Sequence, residues 1–127
     1  RSVHIYFVST GISDHVQFGD RLVPTLDFVQ LEGVATECAI NGLEESGVHS
    51  NQCTRDLGGY GTRLAGTAAG TSLGVASKAT IHAVRVVASY QRGRASWLLA
   101  ALHWVAANGE RPAVVNLGLE SDWKPTR

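Results

Sequence analysis

Residues 61–87, GTRLAGTAAGTSLGVASKATIHAVRVV, set a helix pattern, a Gly-rich turn and a strand pattern in succession, and that succession decides the fold. Gly61 to Thr71 is rich in small residues, with Leu64, Ala65, Ala68 and Ala69 at helical spacing, which predicts a helix able to approach a sheet closely. Ala79 to Val87 alternates in the manner of a strand. Downstream, Leu98, Leu99, Leu102, Val105 and Ala106 recur at helical spacing over Ser96 to Ala107, with Ser96 as the expected N-cap and Asn108-Gly109 as the stop. Ala113 to Leu119 then reads as a strand. Upstream, the β-branched and aromatic run Val3 to Val8 reads as a buried strand halted at Ser9-Thr10-Gly11. A second strand is expected over Pro24 to Leu31, alternating at Leu26, Phe28 and Gln30. Glu32 to Leu57 is polar, Gly-punctuated and holds both cysteines, a long loop of the sort that is functional or tied down. Strands interleaved with helices imply a parallel sheet with right-handed crossovers. The expected fold is α/β in three layers: a small, mostly parallel sheet of about four strands, with helices on both faces.

Composition narrows the function classes. A chain of 127 residues suits one domain, and no internal repeat or linker divides it. Eleven Lys and Arg balance eleven Asp and Glu, so the clustered positive field that nucleic acid requires is not expected. No apolar run approaches the ~18 residues of a membrane span. Charged residues make up 17%, below the usual ~25%, and suggest an exposed apolar area. The chain opens at Arg1 and has no Met, which reads as a processed or excised product.

In folds of this kind function gathers at the carboxyl ends of the strands. Ser9 to Ile12, the turn Gly58 to Gly61, and Leu117 to Ser121 fall there. FVSTGI (7–12) resembles the V-x-D-T-G-I strand end of subtilisin-like serine proteases, and HVQFGDR (15–21) their H-x-x-F-x-G-R. GYGTRLAGT (59–67) is similar to G-H-G-T-H-V-A-G-T, and GTSLGVASKATIHA (70–83) to G-T-x-Y-G-V-A-x-x-A-x-L-x-A. VRVV (84–87), LHWVAA (102–107) and PAVVNLGL (112–119) complete the series. The resemblance runs from Val3 to about Ser121 and is nearest to the proteinase K-like branch of peptidase family S8. It implies the strand order 2-3-1-4, and it makes residues 1–127 a single, truncated subtilisin-like domain.

The departures from the family pattern bear on chemistry. The resemblance sets Ser9 where the family has its catalytic Asp, Tyr60 where it has its catalytic His, and Arg63 at the second His of the motif. The Ser-Leu-Gly-Gly substrate wall corresponds to Gly118-Leu119-Glu120-Ser121, so Gly118, Leu119 and Glu120 are the expected binding residues. The family's nucleophile motif and oxyanion Asn lie past residue 127. A hydroxyl nucleophile needs a base, and the base needs an orienting carboxylate. A phenol, with an ordinary pKa near 10, is no base at neutral pH, and a Ser hydroxyl does not stabilise an imidazolium as a carboxylate does. The expectation is a catalytically inactive domain serving as a binding module. Its partner would be a protein or peptide, or a second copy meeting the edge strand near Val114 to Leu119. The alternative is a serine hydrolase completed by another chain, or one using Ser9, Tyr60 and Arg63, where Tyr and Arg could stabilise an anion. A third reading makes the chain the structural first part of a longer pseudoprotease.

Other residues carry weaker signals. Gly70-Thr71-Ser72-Leu73 mimics a nucleophile motif but reads as the turn before the third strand, and Asp14 as a solvated or capping residue. Gly58-Gly59-Tyr60-Gly61 lacks the Lys and spacing of a phosphate loop, so no cofactor is expected. His4, His15, His49, His82 and His103 share no metal-ligand spacing, and no metal is expected. His4 and His82 read as strand histidines, His15 as a turn residue and His103 as a surface one. Trp97 and Trp104 form one face of the second helix, while Trp123 lies in a polar tail with a partner contact as one reading. Since the family is largely extracellular, the resemblance favours a Cys38–Cys53 disulfide, worth about 3 kcal/mol, and a secreted protein.

Overall fold

The structure is a computed structural model that describes residues 3–38, 52–88 and 93–119. His49, Glu120 and Trp123 lie outside the described residues. The chain forms β1 (His4–Ser9), a short 3-10 turn (Val16–Phe18), β2 (Leu22–Asp27), β3 (Thr36–Glu37), α1 (Tyr60–Ala69), β4 (Thr80–Arg85), α2 (Ala95–Asn108) and β5 (Ala113–Leu117).

The sheet order is β3-β2-β4-β1-β5. Within it β2, β4, β1 and β5 are parallel and follow the expected 2-3-1-4 order. The fifth strand is a departure: two residues of the long loop pair antiparallel with β2, Leu26 opposite Glu37. Polar composition hid this strand, because an edge strand held by backbone pairing needs no apolar run. β1 and β4 are buried on both faces, which is why VHIYFV and ATIHAVRV read as near-continuous hydrophobic runs.

Two cores flank the sheet. On one face Ile5, Phe7, Ile81 and Ala83 pack with Ala65 and Ala69 of α1, whose side chains are small enough to let the helix lie close. On the other, Tyr6, Val8, Leu26, Phe28, Val84 and Val86 meet Ala101 and Val105 of α2. The three-layer expectation therefore holds. Trp97 and Trp104 pack against this second core, as one-face residues should.

Element ends differ from the sequence reading for local reasons. β2 spans Leu22–Asp27 rather than 24–31, because the Asp27 carboxylate accepts the N–H groups of Val29 and Gln30 and turns the chain. A register shift between Pro24 and Leu26 accommodates the proline, which has no N–H for the ladder. α2 begins at Ala95 with Arg94 in the cap position and no side-chain cap, so Ser96 is a first-turn residue and not the N-cap. Its stop is as expected: Gly109 N–H donates to Val105 O at 2.7 Å. Cys38 and Cys53 are bonded, tying the long loop across a sequence separation of 15.

Candidate functional site at the carboxyl ends of the strands

The carboxyl ends of β1, β4 and β5 converge on the start of α1. β1 delivers Ser9, which is fully buried, and its Oγ donates to Gly118 O at 2.8 Å. Gly118 sits against Ser9 and Leu64 so closely that a Cβ there would collide with the Leu64 side chain. Tyr60 opens α1 half-buried, and Arg63 stands exposed one turn on. Leu119 packs on the α2-side core. Gly118 and Leu119 are therefore part of the packed strand end.

Thr10 joins β1 to α1. Its Oγ1 donates to Asp56 Oδ1 and accepts the N–H of Gly61, both at 2.8 Å. Gly61 has to be glycine, because a Cβ there would meet the carbonyl of Gly11. Asp56, 7% exposed, is the carboxylate nearest this junction in the hydrogen-bond network. Its oxygens accept from Thr10 Oγ1, Gly59 N, Thr62 N and Thr62 Oγ1. Three of these four donors lie at the N-terminus of α1, whose N–H groups would otherwise be unsatisfied.

A second buried carboxylate lies at the ends of β2 and β4. Asp27 is fully buried, and Arg85 approaches it through Nη2 at 2.8 Å and through Nε at 3.0 and 3.1 Å. Thr54 N–H donates to Asp27 Oδ2, and Arg85 Nη1 donates to Arg55 O. Sequence reading missed this pair; the signal was a charged residue inside each of two apolar strands. It missed Asp56 as well, whose D-x-x-x-x-x-T spacing to Thr62 across a Gly turn is a cap pattern.

The minor candidates fall where the plainer readings put them. Asp14 is exposed and accepts only the N–H of its neighbour His15. His15 Nδ1 accepts from Gln17 N and fixes the 3-10 turn. Ser72 is exposed and bonded to Gln17 in the turn after α1. His103 is exposed on α2. An open groove of about 370 Å³ runs between Ile12, Asp14, Leu22, Pro24 and Arg55, beside the strand ends but without Ser9 or Tyr60 in its walls.

At the opposite end of the sheet His4, His82 and Glu110 come together, a grouping that no sequence spacing announced. Burial foremost, and then His4, hold His82 down at about 4 against the opposing pull of Glu110, so its imidazole is neutral at pH 7.

This order of strands, the helix opened at a Gly turn beside β1 and the three-layer packing define a subtilisin-like α/β domain. The chain belongs to the subtilase family, peptidase S8, whose pattern matches residues 5–124. It is 34% identical over 118 residues to the alkaline serine exoprotease A of Vibrio alginolyticus, covering 92% of this chain and 18% of that protein. It is 36% identical over 118 residues to an extracellular serine proteinase of a Thermus species, covering 92% of this chain and 24% of that one. A cold-adapted subtilisin-like serine proteinase of known crystal structure superposes with a TM-score of 0.66 at 31% identity, covering 89% of this chain and 35% of its own. The chain thus spans about a fifth to a quarter of the length of these curated relatives.

Proposed function

We propose that this subtilisin-like domain is catalytically inactive and acts as a binding module for a protein or peptide, or for a second copy of itself, along β5. The observation that carries the reading is Ser9. It occupies the position where the resemblance sets a catalytic carboxylate, and its hydroxyl is buried and committed to Gly118 O. Tyr60, at the position of the base, is a phenol. The nearby carboxylate of Asp56 offers no substitute, since four donors of the α1 junction occupy it. A base without an orienting carboxylate loses several orders of magnitude in rate. On the binding side, β5 ends the sheet among the described residues, and Val114, Val115 and Leu117 are 55%, 38% and 51% exposed. Such an edge offers ladder groups and side-chain pockets to an extended segment. We also infer secretion, supported by the Cys38–Cys53 disulfide and by the extracellular naming of a relative. No helix of the described residues is long and apolar enough to cross a membrane.

The test uses the natural polypeptide that carries this domain. It is treated with a serine-directed fluorophosphonate and with peptide and ester substrates, with and without a partner fraction. No turnover and no labelling at Ser9 or Ser72 are expected. Hydrolysis lost on Ser9→Ala or Tyr60→Phe would establish instead the hydrolase that uses Ser9, Tyr60 and Arg63. Sedimentation with added extended peptides reads the binding half: a monomer that takes up no peptide would overturn it.

A further inference from the structure

The amino ends of β1 and β4 present two imidazoles on the face covered by α2. Side chains alternate along a strand, so His4 follows Tyr6 and Val8 to that face, and His82 follows Val84. Tyr6 stacks flat on His82, ring centroids 4.1 Å apart and planes within 10°. The connection after α2 then brings in Glu110, whose backbone N–H donates to Tyr6 Oη at 2.7 Å. Three groups from distant parts of the sequence meet there. His4 Nδ1 lies 2.8 Å from His82 Nε2, and Glu110 Oε2 lies 3.6 and 3.7 Å from the two nitrogens.

The tautomer of His82 follows from its other neighbour. The single hydroxyl proton of Thr25 goes to Val23 O at 2.8 Å. The 3.0 Å contact between Thr25 Oγ1 and His82 Nδ1 is therefore donated by His82. A neutral imidazole protonated at Nδ1 carries its lone pair at Nε2, aimed at His4 and Glu110. His4 Nδ1 then supplies the proton of the 2.8 Å contact between the two rings. A cation replacing this proton would face two imidazole lone pairs and a carboxylate oxygen. Tetrahedral zinc, with bonds of about 2.0–2.1 Å, sets its ligand atoms about 3.4 Å apart. The three distances seen here, 2.8, 3.6 and 3.7 Å, bracket that value. The Thr25 hydroxyl is the outer partner that orients a ligating imidazole.

We propose that His4, His82 and Glu110 bind one divalent metal ion of the imidazole-preferring kind, Zn²⁺ above all, with water in the fourth position. On binding, the His4 Nδ1 proton passes to solvent and the ring, carrying its N–H at Nε2, ligates as a neutral imidazole. Glu110, 66% exposed, lies on the open side, where its carboxylate can close on the ion and water can enter. Calcium and magnesium, which want oxygen ligands, do not fit a set with a single carboxylate. The ion joins the starts of β1 and β4 to the α2–β5 connection. Five residues of strand, about 16 Å, separate His4 from Ser9. The site is therefore remote from Ser9, and its expected effect is on stability.

The test titrates the metal-free 127-residue chain with ZnCl₂ and, separately, CaCl₂, followed by calorimetry and thermal melting. One equivalent of Zn²⁺ is expected to bind, raising Tm by about 10 °C at a hundredfold excess over Kd, with no response to Ca²⁺. Co²⁺ in its place should give visible absorption of tetrahedral intensity. Glu110→Gln, at an exposed position, and His4→Ala, at a half-buried strand end, should each weaken binding about tenfold or more while far-UV circular dichroism is unchanged. Absence of saturable Zn²⁺ binding overturns the proposal. Binding undiminished in both variants does so too, since the ion would then sit on other side chains.

Discussion

The two ends of the parallel sheet treat their polar groups in opposite ways. At the carboxyl ends, Asp27, Arg85, Asp56, Thr10 and Ser9 are all buried, and each is bonded to a backbone or side-chain partner within the fold. At the amino ends, His4, His82 and Glu110 face one another across 2.8–3.7 Å with one side open. In a fold whose chemistry normally sits at the carboxyl ends, these five groups are internally satisfied, while beside them Tyr60 is half-buried and Arg63 exposed. The contrast shows that position in a fold offers chemistry a place, whereas the partners of each side chain decide whether anything is left to react.

The most severe way to break the contrast is Asp27→Ala. It leaves the Arg85 guanidinium buried without a counter-charge and orphans the N–H groups of Val29, Gln30 and Thr54. Removing one member of a buried pair typically costs 3–5 kcal/mol, so a loss of about 4 kcal/mol is expected in urea denaturation. Cys38→Ala with Cys53→Ala comes next. The disulfide anchors the segment that supplies Thr54 N–H to Asp27, Arg55 O to Arg85 and the Asp56 cap to α1. Opening a loop of this length should lower stability by about 3 kcal/mol, or Tm by roughly 10 °C. Faster hydrogen exchange at Thr54 and Thr62 would tie that loss to the carboxyl end.

These two sites mark the limit of what the sequence discloses. Periodicity located both helices and the four parallel strands, since each buries a regular apolar face, and the motif succession supplied their order. β3 escaped because two residues, Thr36–Glu37, paired through their backbone leave no periodic trace. Ser9, Tyr60 and Gly118 were legible as strand-end residues, and the structure adds that Ser9 is bonded to Gly118. The Asp27–Arg85 pair and the His4–His82–Glu110 group were not legible. Each joins residues tens of positions apart through strand adjacency, and register appears only when the strands pair. A neutral reading of His82 as a structural strand histidine described its burial and missed its neighbours.

Ser9→Ala asks whether the strand-end hydroxyl does anything beyond its one bond. It removes a single hydrogen bond to Gly118 O at a fully buried position, so a loss of about 1 kcal/mol is expected. A loss well above 2 kcal/mol in chemical denaturation would mean that Ser9 has a partner besides Gly118.

The smallest effect sharpens the comparison most. Glu110→Gln removes a carboxylate that stands 3.6 and 3.7 Å from two imidazoles, which by distance alone resembles the loss of Asp27. At pH 7, however, burial keeps His82 neutral, and the Glu110 side chain is 66% exposed. An exposed carboxylate beside a neutral ring contributes little, and glutamine retains the backbone N–H that donates to Tyr6 Oη. In the metal-free chain the change should therefore stay within about 0.5 kcal/mol in urea denaturation at pH 7. A carboxylate lost at one end of the sheet then costs several kcal/mol and one lost at the other almost nothing. That difference is expected if the first serves the fold and the second is held in reserve for a ligand, and a loss above 2 kcal/mol for Glu110→Gln would place both in the service of the fold.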